Sequence, residues 1–370
     1  MTAVLSSARL QLRPASPEEL SSWDDLIRRF PTHRVTHGVA WLRSLEGSGF
    51  GRAHFLVLEK DGAVVGCLPG MVGEVGPLRL FGSPPPASQT VSMGPVFDDK
   101  RVTTAEVMEA VVPYLERRLG IHHMEIMSAD VDPAPMLTLG FRGEPWPTYR
   151  AALFPGDEAR TLKGLKDSAR RNVTRGRKLG LEVRFEQDER FVDEHYAQLK
   201  EVYVRGGHVI NFGRHRVLEC FRSMRDAGHL VAVSVYLPDG RTSIATGMFT
   251  IEGRELLLWG WAHRAEHRWY RATELMTWTV MQRALAAGCE TFDLMGLGDF
   301  KTKFGAQRDD RKYRWIRSRY RWLGQMRDLA ASGLHWQQAV RGRIARRWGA
   351  TQIRILEGGR NGHSSDGEHI

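Results

Sequence analysis

The chain has 370 residues, with 53 Lys and Arg against 43 Asp and Glu, a formal net charge of +10. That length allows two ordinary domains with a full core, and the charge favours an anionic partner: nucleic acid, a nucleotide, a phosphorylated substrate or a phospholipid surface. Cys67, Cys220 and Cys289 are far apart, which argues against a disulfide framework or zinc site and for a reducing, cytoplasmic setting. No run of about 18 uncharged apolar residues spans a membrane, and MTAVLSSARLQLRP lacks the basic stretch and apolar core of a signal peptide.

Leu10–Leu12 reads as an opening strand. Ser16-Pro17-Glu18-Glu19 starts a helix expected to run to Phe30, with serine as cap, proline at the first position and acids in the first turn. Trp41–Leu45 is a second helical piece. His54–Glu59, the turn pair Asp61-Gly62 and Ala63–Leu68 make a hairpin, and Leu78–Phe81 is a further strand. Gly82–Pro95, rich in Pro, Ser and Gly, is a loop, read either as a surface linker or as a wall of an acceptor cleft between two domains. Thr103–Gly120 is an amphipathic helix and His123–Met127 a strand; Leu137–Pro147 closes this half.

The order then repeats. Gly228–Leu237, the turn pair Asp239-Gly240 and Ser243–Ile251 form a hairpin; Glu255–Trp261 is a strand, Ala272–Gly288 a helix and Phe292–Met295 a strand. Val107–Met127 matches Leu275–Met295, each a helix, a glycine and a strand ending in methionine. A repeat that long is a duplicated domain, of α/β class with mixed sheets and helices on both faces.

Between the halves, Thr161–Gly180 reads as one basic helix carrying Lys163, Lys166, Arg170, Arg171, Arg175, Arg177 and Lys178 against Asp167 alone. It is either a solvated face or a phosphate-contacting surface, for which Lys166, Arg170, Arg171 and Arg175 are the nucleic-acid candidates. Lys312–Trp322 alternates arginine with aromatic residues, as a strand does. Leu334–Trp348 reads as a basic amphipathic helix, and the polar residues 358–370 as disordered.

The stretch Cys289–Arg308 (CETFDLMGLGDFKTKFGAQR) concentrates the chemistry. An apolar strand ending at Gly296 and Gly298 brings backbone close to something. Lys301 just beyond it can meet a developing negative charge, with Phe300 and Phe304 excluding water. The same residues also describe an edge strand followed by a solvated turn. Asp293, Asp299 and Glu274 are the nearest carboxylates and, with His263 just after the strand that ends at Trp261, the candidate bases for amine deprotonation, Asp293 and Asp299 foremost. Each has a bland alternative as a cap, a first-turn acid or a surface residue. Arg268 and Arg271 stand before a helix start, where phosphate binds well. Arg205-Gly206-Gly207-His208 is either a substrate-facing turn or a helix C-cap. No motif supports zinc, flavin or nicotinamide chemistry, so no metal and no tightly bound cofactor is expected.

The duplicated layout, the Lys166…Arg170-Arg171-Asn172 run, and Phe292-Asp293-Leu294…Gly296…Phe300-Lys301-x-x-Phe304-Gly305 together resemble the FemABX-like branch of the GNAT acyltransferase superfamily. The resemblance covers most of the chain, with the FKxxFG segment as its most specific part. It implies two tandem GNAT-like domains, 1–155 and 156–330; beyond them the residues themselves read as the helix 331–357 and the tail 358–370. It also implies an acyltransferase that forms an amide, with aminoacyl-tRNA or acyl-CoA as co-substrate and a small or peptide-like amine as acceptor. By position Phe300 would wall the donor's aminoacyl end, and Lys301 would stabilise an oxyanion or phosphate. Acyl-CoA members carry a glycine loop at a helix start; His267–Thr273 contains no glycine, which favours tRNA as donor. Leu181–Gly228 has no room for the long helical arm of wall-bridge enzymes. Two alternatives stay open: the same fold using acyl-CoA or a carrier-protein thioester, and a non-catalytic protein that binds RNA or an anionic membrane surface.

Overall fold

The computed structural model describes residues 9–208 and 210–329; the helix 331–357 and tail 358–370 expected above lie outside them. The first half contains β1 (Gln11–Pro14), α1 (Pro17–Ser21), α2 (Trp23–Ile27), α3 (Val39–Gly47), β2 (Arg52–Lys60), β3 (Ala63–Val75), β4 (Leu78–Ser83) and β5 (Val96–Phe97). It continues with α4 (Thr104–Pro113), β6 (His123–Ser128), α5 (Pro133–Thr138), β7 (Arg142–Pro145) and β8 (Thr148–Ala152). Then come α6 (Glu158–Gly164), α7 (Asp167–Lys178), β9 (Glu182–Glu186), α8 (Arg190–Arg205), α9 (Arg214–Asp226), β10 (Leu230–Tyr236) and β11 (Ser243–Glu252). β12 (Glu255–His263), α10 (Ala272–Ala286), β13 (Thr291–Asp293), β14 (Gln307–Asp309) and β15 (Tyr313–Ser318) complete the order.

Two mixed sheets result, and their plans match. One runs β1-β2-β3-β4-β6-β15-β7, with β5 beside β3; the other runs β9-β10-β11-β12-β13-β8-β14. In each, an antiparallel meander ends in a parallel pair, β4 with β6 and β12 with β13. A parallel pair needs a crossover, which α4 and α10 supply. The duplication and the α/β class read from the sequence are thus both present.

Hydrogen bonding crosses the division expected at residues 155 and 156. β15 from the second half completes the first sheet between β6 and β7, and β8 from the first half lies between β13 and β14. A strand edge left at β6 or β13 would present unpaired backbone, and an antiparallel strand from the other half satisfies it. Alternation in Lys312–Trp322 foretold a strand but not its sheet, and helix resumes at 321, so Trp322 is not part of it.

The Asp61-Gly62 turn has both residues left-handed, φ 54° and 71°, as the I′ type requires. Asp239-Gly240 is built differently: only Gly240 has positive φ, and the Asp239 carboxylate accepts from the N–H groups of Arg241 and Thr242. The helix expected from Ser16 to Phe30 is divided at Ser22, between α1 and α2. The expected helix 103–120 loses regular pitch at Tyr114–Arg118 before Gly120 turns left-handed at φ 64°.

The single basic helix expected over 161–180 is two helices. Leu165 and Lys166 are extended, Leu165 is buried, and the Lys166 N–H bonds the Lys303 carbonyl at 2.9 Å. Burial of one leucine and a tie to a distant turn override helical propensity here.

One apolar core lies between the second sheet, α7 and α10; another lies between the first sheet and α4. A third joins the halves, where Trp41, Leu42 and Met93 meet Phe221, Met248 and Trp259. Each such side chain contributes about 1.5–3 kcal/mol when fully buried, so the halves are held by a continuous core. The loop after β4 is part of that core: Thr90–Met93 is buried, and the Arg216 guanidinium donates to the Ser88 carbonyl at 3.1 Å. Of its two readings, surface linker and interdomain wall, the burial supports the second.

Candidate active site

β12 and β13 pair only where Glu255–Leu257 face Thr291–Asp293. Beyond that point the strands part. β12 carries a bulge at Trp259, since its register with β11 passes from Phe249↔Leu258 to Met248↔Gly260. β13 ends because Met295 and Gly296 turn left-handed, at φ 52° and 65°. A left-handed conformation at methionine costs about 1–2 kcal/mol. The Asp293 carboxylate offsets it: Oδ1 accepts from the Met295 N–H at 2.9 Å and from the Thr148 hydroxyl at 2.7 Å. The gap between the parted strands opens a cavity of about 380 Å³.

Lys301 stands in this gap. It is 6% exposed, on the short turn Asp299–Phe304 that follows Gly298. Its Nζ donates to the Met295 carbonyl and, at 3.1 Å, to the Gly296 carbonyl, which the left-handed turn presents to it. An ammonium has three protons, so one remains for the cavity. Burial lowers its pKa from 10.5 to about 8, against the opposing pull of the Asp293 charge. The rest of the lining is largely apolar, with Tyr203, Phe212, Trp259, Trp261 and Phe300 supplying rings.

A second cavity, of about 330 Å³, lies on the other side of Trp261 and Phe300, whose rings line both. Arg205, Arg268, Arg271 and Lys303 give it a cationic lining. Ala272 and Thr273 place the start of α10 on its wall, where free N–H groups favour an anion. Glu274 is its one carboxylate among the described residues, already held by Asn172 at 2.9 Å and Lys303 at 3.2 Å. Arg205 donates to His263 Nε2 at 2.8 Å, and burial together with that guanidinium lowers the imidazole pKa. Arg271 adopts φ 56° at the helix cap without being glycine.

Helix α7 borders this mouth. It packs on α10 at Gly176, where a Cβ would stand 3.1 Å from the Leu275 side chain, and exposed Arg175 lies over the Trp269 ring at 5.6 Å. Arg171 is exposed too. Lys166 and Arg170 are engaged within the fold: Lys166 Nζ donates to the Thr302 hydroxyl at 2.8 Å, and Arg170 to the carbonyls of Lys163 and Leu165 and to Asp167.

The structure therefore gathers Lys301, Phe300, Phe304, Trp261, His263, Arg205, Arg268 and Arg271 around two adjoining cavities. It leaves two expected catalytic carboxylates outside them. Asp293 is 1% exposed and spent on the backbone turn, and Asp299 is exposed and accepts from the Tyr149 hydroxyl at 3.1 Å. In Arg205–His208, Gly206 caps α8, and Arg205 lines the cationic cavity. Tyr203, Phe212, Trp259 and Gln89 were not singled out from the sequence. Only the bulge and the path of the interdomain loop bring them together, and neither leaves a local pattern. In the first half the matching gap between β4 and β6 is filled by its own loop, with the Met93 N–H bonding the Met127 carbonyl at 2.9 Å.

Fold and site together define a tandem GNAT-fold protein. Residues 163–308 match the family described as the acetyltransferase (GNAT) domain. FemX is similar in structure, with TM-score 0.66 at 13% identity, over 82% of this chain and 96% of that one. A tandem GNAT protein from the clavulanic acid biosynthesis pathway is similar at TM-score 0.51 and 14% identity, over 84% of this chain and 98% of its own. L-PGS from Bacillus licheniformis is similar at TM-score 0.50 and 13% identity, over 85% and 96%. No curated protein matches the sequence. At such identities the likeness is one of fold. Among the described residues no helix is long and apolar enough to cross a membrane, and no His, Cys, Asp and Glu cluster suits a metal ion.

Proposed function

We propose that the protein is an N-acyltransferase that takes its acyl group from a phosphate-bearing donor in the cationic cavity and delivers it to an amine in the cavity beside Lys301. The observation that carries this reading is the position of Lys301, a buried cation on the cavity that shares Trp261 and Phe300 with the cationic one. In the transfer the amine nitrogen bonds to the donor's carbonyl carbon. The donor's C–O or C–S bond breaks, and the amine's proton ends on the leaving oxygen or sulfur. In this reading Lys301 stabilises the oxyanion, and the aromatic side chains around it lower the local dielectric. The amine must arrive uncharged. A cavity that among the described residues has no carboxylate and one ammonium disfavours a bound cation, which lowers the substrate's own pKa and reduces the need for a dedicated base.

Aminoacyl-tRNA is the favoured donor, because exposed Arg171 and Arg175 extend the positive surface beyond the cavity mouth. A second reading, acyl-CoA, draws on the α10 start: Arg271 makes the left-handed cap there without glycine, so a phosphate cradle remains available. Incubation with a small-molecule amine pool and either labelled aminoacyl-tRNA or labelled acetyl-CoA, with and without RNase, separates them. Amide product abolished by RNase supports tRNA; product from CoA that ignores RNase supports the second reading. No product from either donor, with folded protein, removes the acyltransferase proposal.

A further inference from the structure

The cavity beside Lys301 has a chemistry of its own, distinct from that of its neighbour. Among the described residues its lining holds no Asp or Glu. Five aromatic side chains line it, from α8 (Tyr203), the segment after it (Phe212), β12 (Trp259 at the bulge and Trp261 beyond it) and the Lys301 turn (Phe300). Trp259 is only 5% exposed, and Phe212 meets it edge-on at 5.6 Å, so this side of the cage is fixed. The volume lies within the range of small-ligand sites.

Its polar side chains are few, and each can donate a proton. Lys301 offers a proton, and the Tyr203 hydroxyl has no hydrogen-bond partner among the described residues. Gln89 is carried in from the first half by the loop after β4. The Gln89 side chain donates to Asn211 Oδ1 at 3.2 Å, and the backbone at Ala87 and Gln89 is left-handed, φ 58° and 56°. Arg216, buried beneath, fixes the loop through the Ser88 carbonyl and bonds the Ser44 hydroxyl at 3.1 Å. A strained loop held in one place by a buried guanidinium is a preformed wall.

Aromatic walls hold flat or bulky apolar groups, and proton donors hold carbonyl or carboxylate oxygens. A carboxylate-free cavity containing a lysine repels an ammonium or guanidinium on the far end of a ligand. We infer that the acceptor is an amine with an aromatic or bulky apolar body and a neighbouring carbonyl or carboxylate oxygen, the chemistry of an aromatic amino acid, free or at a peptide N-terminus. The inference rests on the acyltransferase reading for the fate of the amine, but not for its binding.

The test has a binding arm and a turnover arm. Without donor, calorimetric titration compares L-phenylalanine, L-phenylalaninamide, a tripeptide beginning with phenylalanine, and L-lysinamide, on the wild-type chain and on Tyr203→Ala. Tyr203→Phe separates loss of the ring from loss of the hydroxyl, and far-UV dichroism checks folding. The expected result is binding of the phenylalanine compounds at least tenfold tighter than lysinamide. Tyr203→Ala should weaken it about tenfold and Tyr203→Phe less. The free amino acid and the tripeptide distinguish the two sources of this chemistry. With donor added, the same order in kcat/KM is expected. Preference for lysinamide in either arm overturns the inference and leaves acyl transfer standing. Selective aromatic binding with no product from any donor does the reverse. No binding by any of the four compounds also overturns it.

Discussion

The rings of Trp261 and Phe300 stand 5.6 Å apart, tilted by 48°, and form the wall shared by the cationic cavity and the cavity of Lys301. Phe300 is 47% exposed, so its ring can be removed at little cost to the fold. Phe300→Ala should open one cavity into the other and admit water to the reacting carbonyl. The expected outcome is a rise in donor hydrolysis relative to amide formation, with the melting temperature nearly unchanged. The ratio of free acid to amide in a quenched reaction measures it.

Lys301 should act in its protonated form. Its pKa near 8 then predicts a kcat/KM that falls as pH rises through about 8. Lys301→Ala should lower the rate by about 10²–10³. Lys301→Arg should keep part of the activity and lose the fall near pH 8, because arginine stays charged there. The sign for stability is opposite. Between about 8 and the unfolded value of 10.5 the unfolded chain binds more protons at this site, so its contribution makes the fold more stable as pH rises through that window. Stopped-flow rates divided by those of Lys301→Arg, so that the amine's own titration cancels, and urea melts between pH 7 and 10.5 test both signs; a ratio that stays level through pH 8 to 9 would refute the assignment.

Arg171 and Arg175 lie outside both cavities, so changing them to Gln should leave turnover of saturating donor intact. If tRNA is the donor, its affinity should fall and the slope of log affinity against log salt should shrink by about 1 for each phosphate that is no longer neutralised. If CoA is the donor, the double variant should leave its affinity within about twofold, since exposed substitutions away from a site rarely exceed about 0.5 kcal/mol.

The carboxylates of β13 and the turn after it should behave unlike each other. Asp293 holds the Met295 turn and faces Arg34 at 3.9 Å, so Asp293→Ala leaves the Met295 N–H and the buried Thr148 hydroxyl without their acceptor and removes a buried charge from beside Arg34, which keeps Glu255 at 2.6 Å. A loss of about 3 kcal/mol or more is expected in denaturant titration. Asp299→Ala removes an exposed carboxylate and one bond from Tyr149. Stability should change by no more than about 0.5 kcal/mol and the rate by less than about threefold.

How much of this was legible in the residues depends on how local the cause was. Ser16 with Glu19 and Thr103 with Glu106 form the capping boxes that their spacing announces. The Asp61-Gly62 turn between two apolar runs announces the β2–β3 hairpin directly, pairing Lys60 with Ala63. The same local signals, repeated in the second half, revealed the duplication. Phe300, Lys301 and Phe304 were legible as a group because one short turn carries them. Asp293 and Asp299 stand outside the cavities, because adjacency in the chain does not say which way a side chain faces once the strand turns left-handed at Met295.

The sequence by itself determined two similar α/β halves, a basic surplus, and a lysine set between aromatic residues after a glycine-ended strand. Each follows from propensity, periodicity or charge, which act within a few residues. Only the tertiary structure decided that β15 and β8 exchange between the sheets, that the basic helix breaks at Leu165, and that Gln89 reaches a cavity in the other half. It also decided that Lys301 is buried rather than solvated. Those outcomes depend on which distant segment removes a given surface from water, and that free energy belongs to the folded arrangement rather than to any one stretch of chain.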